Sequence, residues 1–141
     1  MGRVYLSLTV VLLAALTFNC GGSSPDLEGL AIGEIEFEGE HAEDVKADLE
    51  EALQSAGATV NQTGAPKLIG SLTWEWAGEG AEPYPTLVKV FIQSDPEDRK
   101  FTVSSQYRVP QGAQPQNVAH YRGQIVERIV SRLAAQNRDA S

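Results

Sequence analysis

The chain has 141 residues, 42% hydrophobic and 21% charged, with a mean hydropathy of −0.22, the make-up of a soluble globular protein. Its formal charge of −8 argues against a nucleic-acid partner, because a phosphate backbone is gripped by a net positive surface. The charge is unevenly placed: residues 26–57 hold eleven acids and one base, Lys46, whereas residues 58–141 hold eight acids and nine bases, so the two parts should attract each other.

The amino terminus reads as an export signal. Arg3 and the free amine make a short positive end, Val4 to Phe18 is an almost unbroken apolar run, and the run stops at the chain's single cysteine, Cys20. A spanning helix needs about 20 apolar residues, and here about fifteen are followed by Gly21-Gly22-Ser23-Ser24 in place of a positive stop. Leu16-Thr17-Phe18-Asn19-Cys20 resembles the lipobox of bacterial lipoproteins, in which the cysteine receives a diacylglycerol and becomes the first mature residue. Thr17 and Asn19 depart from the leucine and the small residue usual at those places. Acylation would also remove a lone thiol that suits an oxidising compartment poorly. Residues 1–19 are therefore read as a lipoprotein signal peptide, 20–27 as a flexible tether containing Pro25, and 28–138 as one domain.

Ala31 to Glu38 alternates, with Ala31, Gly33, Ile35 and Phe37 on one side and Ile32, Glu34, Glu36 and Glu38 on the other, and predicts a half-buried first strand. The glutamates of one strand face stand ~7 Å apart, which suits a solvated face better than a cation site. The period then changes. Ala42, Val45, Leu49, Ala52, Leu53 and Ala56 recur at helical spacing, Glu43 and Asp44 suit the positive end of the helix dipole, and Gly57 supplies a left-handed stop. His41, with no histidine or cysteine near it, is read as a turn residue. Lys67 to Ala77 alternates again and points Trp74 and Trp76 the same way, toward the core beneath a helix end. A Gly- and Pro-rich turn at 78–85 leads to a hairpin of Thr86 to Gln93 and Lys100 to Val109, turning at 94–98.

Pro110 to Gln116 is a polar loop, and Asn117 caps a second helix running to about Gln136. Its stripe is Val118, Tyr121, Ile125, Ile129 and Leu133, joined by Val126 and Val130. An acidic row on the first helix, Asp44, Asp48 and Glu51, is expected to meet Arg122, Arg128 or Arg132 of the second. The fold class that results is α+β, a two-layer sandwich with two helices on one face of a four-stranded mixed sheet (βαβββα). A crossover makes the first two strands parallel, short connections make the rest antiparallel, and the expected sheet order is one-two-three-four.

Taken with Cys20 and this element order, the segments Leu53 to Val60, Ala65-Pro66-Lys67-Leu68-Ile69-Gly70-Ser71-Leu72 and Ile125 to Leu133 resemble the lipopolysaccharide-assembly lipoproteins of the Gram-negative outer membrane. Related architectures occur in curli-secretion lipoproteins and in lipoproteins that activate penicillin-binding proteins. The resemblance implies a non-catalytic accessory or scaffold of an envelope machine, lipid-anchored on the periplasmic side of the outer membrane, with an envelope protein as partner. It also implies a contact with lipid A, for which the chain has no strong basic patch.

No catalytic, cofactor or metal constellation stands out: there are two histidines, His41 and His120, no Gly-x-Ser-x-Gly, no glycine-rich phosphate loop and no ligand cluster. The partner is expected on the uncovered sheet face, at Lys89, Phe91, Thr102, Ser104, Gln106 and Arg108, because an aromatic anchor within graded charge suits an oriented protein contact. The second reading is a small-ligand binder with Trp74, Trp76 and the 78–85 turn as its mouth.

Overall fold

Alternating and helical stretches settle into six elements in the computed structural model, which describes residues 26–78, 82–95 and 101–139. The signal peptide, Cys20, most of the tether and residues 96–98 of the hairpin turn lie outside the described residues. In chain order the elements are β1 (Ile35–Glu38), α1 (Ala42–Ser55), β2 (Leu68–Ala77), β3 (Tyr84–Ser94), β4 (Thr102–Tyr107) and α2 (Val118–Asp139). The sheet order is β1-β2-β3-β4, with β1 parallel to β2 and the other pairs antiparallel. Helix α1 packs on β1, α2 packs on β3 and β4, and the helices touch each other. The molecule is the expected two-layer α+β sandwich with one sheet face left open.

The core forms where the two periods meet. Ile35, Leu68, Leu72, Val88, Val90, Ile92 and Val103 point inward from the strands onto Val45, Leu49 and Leu53 of α1 and Tyr121, Ile125, Ile129 and Leu133 of α2, each buried. Fully burying one such aliphatic side chain is worth roughly 1.5–3 kcal/mol, so these stripes rather than surface charge hold the layers together. Their ends are set by local chemistry. Asn117 Oδ1 accepts from the His120 main chain at 2.9 Å and caps α2 as its sequence implies. At the end of α1 the amide of Gly57 donates to Gln54 and that of Ala58 to Leu53, both at 3.0 Å, with Gly57 at φ +105°. A side chain at Gly57 would also lie 3.0 Å from the Glu28 backbone, so glycine is required there twice over.

Five boundaries differ from the sequence reading. Leu27, assigned to the tether, is fully buried and its amide donates to the Ala56 carbonyl at 2.9 Å, so ordered packing begins before residue 28. Burying an apolar side chain against the end of α1 outweighs the flexibility that the small residues before it suggest. The first strand is short, because Ile32 and Gly33 donate to Thr59 and Pro66, both at 2.8 Å, and so pair with the link after α1. Ile32, expected outward, is therefore in the core. Strand β3 begins at Tyr84, two residues inside the expected turn, and Thr86 is an extra residue between the pairs Trp76–Pro85 and Glu75–Leu87. Its hydroxyl donates to the Glu75 carbonyl at 3.1 Å and fastens this bulge. Strand β4 is shorter than 100–109 and α2 runs three residues beyond Gln136.

A candidate partner-binding groove on the open sheet face

Register decides what the open face displays. The central cross-strand row is Ser71–Phe91–Ser104, flanked by Thr73–Lys89–Gln106 on one side and Ile69–Gln93–Thr102 on the other. Phe91 is 44% exposed because its neighbours on both sides are serines, too short to cover a phenyl ring. Ile69, 37% exposed, is its diagonal neighbour. With Tyr84 these are the large apolar side chains exposed among the described residues, and two of the three adjoin on this face.

Around Phe91 runs a groove of about 500 Å³, floored by Ser71, Thr73, Lys89, Ser104 and Gln106 and walled beyond the β4 edge by Arg128 and Arg132 of α2. Among the described residues three cations line it and no carboxylate does. The acids of the same face stand outside the groove, Glu75 toward the end of β2 and Glu36 and Glu38 two strands away on β1, where Glu36 lies 4.0 Å from Lys67. Ser105, whose hydroxyl is buried without a hydrogen-bond partner, also lines the groove beside the arginines. The arrangement can hold an apolar group against Phe91 and anionic groups against the cations.

Of the six residues named from the sequence, Lys89, Phe91, Ser104 and Gln106 come together in this groove. Thr102 faces outward just beyond it, and both its main-chain groups are held by the Gln136 side-chain amide: its N–H donates to Gln136 Oε1 at 3.1 Å and its carbonyl accepts from Nε2. Arg108 is exposed past the end of β4 and does not line the groove.

Of the three arginines expected opposite the acidic row, one meets it and two stand at the groove. Arg122 meets the acidic row, with Nη1 3.3 Å from Asp44 and Nε 3.2 Å from Asp48. The Nε–H points off the line to Asp48, so that contact is an ion pair without a hydrogen bond. Arg128 and Arg132 instead flank the groove, with the Arg128 guanidinium 5.6 Å from the centre of the Tyr107 ring. The signal was available: at about 100° per residue, six residues carry a helix position about 240° round, so Arg122 and Arg128 face different neighbours. Glu51 is exposed and takes no part in these ion pairs.

The tryptophans are packing residues. Trp74 and Trp76 stack with centroids 5.7 Å apart, the His41 ring meets Trp74 edge-on with centroids 5.4 Å apart, and Trp74 Nε1–H donates to the Glu40 carbonyl at 2.8 Å. The cluster closes the sheet under the start of α1, where His41 adopts the left-handed turn conformation at φ 61°. Neither indole lines the groove. His120 lies elsewhere, 2.9 Å from the Tyr107 hydroxyl, and among the described residues no three His, Cys, Asp or Glu side chains are grouped to hold a metal. A second concavity of about 360 Å³, mostly apolar and lined by Ala52, Ser55, Ala56, Gly123, Val126, Glu127 and Val130, lies along the seam between the helices.

No family model matches the chain, and no curated protein matches its sequence. Among solved structures, a minor lipoprotein from Acinetobacter baumannii is 16% identical, with 75% of this chain and 87% of that one covered, at a TM-score of 0.37. A neuraminyllactose-binding hemagglutinin homolog from Helicobacter pylori is 12% identical, with 82% and 86% covered, at a TM-score of 0.36. Similarity at this level assigns no activity to this chain. Among the described residues no helix is long and apolar enough to cross a membrane.

Proposed function

We propose that this protein is a non-catalytic accessory of the bacterial envelope, anchored by acyl chains on Cys20 to the periplasmic side of the outer membrane, which holds a protein partner on the open face of its sheet. The observation that carries the reading is the exposed Phe91 in a groove lined by Lys89, Arg128 and Arg132 and, among the described residues, by no acid. An aromatic anchor in a concave setting charged with one sign supplies both parts of a specific contact, since the ring contributes burial and the charges orient the encounter. Support for the anchor is the apolar run ending at Cys20, a short distance before the core begins at Leu27. The machine we assign it to is one of envelope assembly, lipopolysaccharide assembly among them, on the strength of the sequence resemblance.

Affinity capture from detergent-extracted membranes, with partners identified by mass, tests this reading. The parent chain should retain a defined envelope protein that Phe91→Asp loses while keeping its melting temperature. A Phe91→Asp protein that captures the same partner at full strength would move the binding surface off this face. The tryptophan-mouth reading finds no comparable observation, because both indoles are spent on each other and on His41.

A further inference from the structure

Strand β4 is an edge strand, and its free side is only partly closed. Ser94 donates to the Phe101 carbonyl at 2.9 Å, so Phe101 and each second residue after it turn their main-chain groups toward β3. Thr102, Ser104 and Gln106 therefore turn theirs away from the sheet. Gln136 takes both groups of Thr102 with its side-chain amide, standing in for one residue of a fifth strand. The row of α2 that carries Gln136 continues backward through Arg132 and Arg128 at intervals of four residues. Four residues of helix rise about 6 Å and two residues of strand about 6.8 Å, so the row keeps step with Thr102, Ser104 and Gln106. Where the first step offers an amide that both donates and accepts, the next two offer arginines, which only donate. The N–H groups of Ser104 and Gln106 are thus left facing the groove beneath two guanidinium groups.

We propose that this edge is completed by an extended segment of the partner carrying two carboxylates two residues apart, which adds to β4 as a fifth strand. Its main chain pairs with Ser104 and Gln106, and its acidic side chains, about 6.8 Å apart on one face, meet Arg132 and Arg128. The inference rests on the open-face reading of function and names the chemistry of the partner. The charge complementarity chooses the occupant: two copies of β4 laid edge to edge would bring four arginines together, whereas an acidic strand neutralises the pair.

The probe is a capped synthetic peptide, Val-Glu-Val-Glu-Val-Thr, titrated into the isotope-labelled protein and followed by amide chemical shifts. The Ser104 and Gln106 amides should move most, and replacing both glutamates of the peptide by lysine should weaken binding by roughly tenfold or more, as should Arg128→Glu with Arg132→Glu. Ser104→Pro should abolish binding and still fold, because it removes a donor that faces outward and no rung of the sheet. N-methylation of the peptide's pairing amides tests the same point on unaltered protein. Equal binding by the N-methylated peptide, or equal binding to vesicles of anionic lipid in competition with the peptide, would overturn strand addition. So would self-association that displaces the peptide, since a second copy's β1 carries Glu36 and Glu38 at the required spacing. Partner capture lost in Phe91→Asp but kept in Ser104→Pro would refute the edge and leave the face; the reverse pattern would refute the face and leave the edge.

Discussion

Arg122 reaches from the first turns of α2 to Asp48 in the middle of α1, its Nε 3.2 Å from the carboxylate, and a second branch lies 3.3 Å from Asp44. This is the ion pairing that joins the two helices, yet both acids are substantially exposed. Pairs in that setting contribute about 0–1 kcal/mol, whereas Leu49 beside them is fully buried and its truncation to alanine costs about 2–5 kcal/mol. Leu49→Ala should therefore lower the melting temperature several times more than Arg122→Ala, and only the Arg122→Ala deficit should shrink as salt is added to both proteins. Thermal melts at two ionic strengths check both statements.

Tyr121 presents the opposite case, a polar group that the fold does not use. Its ring is fully buried against Trp74, Tyr107 and His120, but its hydroxyl has no hydrogen-bond partner among the described residues. Removing an unsatisfied buried hydroxyl relieves a desolvation cost of about 1–3 kcal/mol while the ring keeps its packing. Tyr121→Phe should be neutral or stabilising in chemical denaturation, whereas Tyr121→Ala should be strongly destabilising.

Much of this architecture could be read from the chain because the determinants are local. Val45, Leu49 and Leu53 fall on one helical face whatever lies opposite, and Leu68, Gly70, Leu72, Trp74 and Trp76 alternate whatever strand pairs with them. Phe91 was legible as an outward residue for the same reason. What escaped depends on contacts distant in sequence. The burial of Ile32 follows from hydrogen bonding to Thr59, and the bulge at Thr86 follows from a carbonyl eleven residues away. The place of Arg128 and Arg132 was missed through a nearer cause: the acidic row of α1 was an attractive partner for any of the three arginines named, and the turn of the helix brings Arg122 to it.

The lipid anchor makes a separate prediction. Each buried methylene of an acyl chain contributes ~0.8 kcal/mol, and two or more chains hold a protein on a membrane where one does so only reversibly. The parent chain should sediment with outer-membrane fractions, since the residue after Cys20 is Gly21 and not aspartate, and Cys20→Ser should be released or retained as an uncleaved precursor. A Cys20→Ser protein that is processed and sediments with the outer membrane like the parent would remove the anchor from the account.

The most direct measurement of the central claim places a photoreactive phenylalanine analogue at position 91, and in a control at Ala47, which is exposed on α1. Irradiation of intact cells should give one discrete adduct from position 91, lost when Arg128 and Arg132 are both changed to glutamate, and none from position 47. Adducts from position 47 with none from position 91 would place the partner on the helical layer and contradict the account.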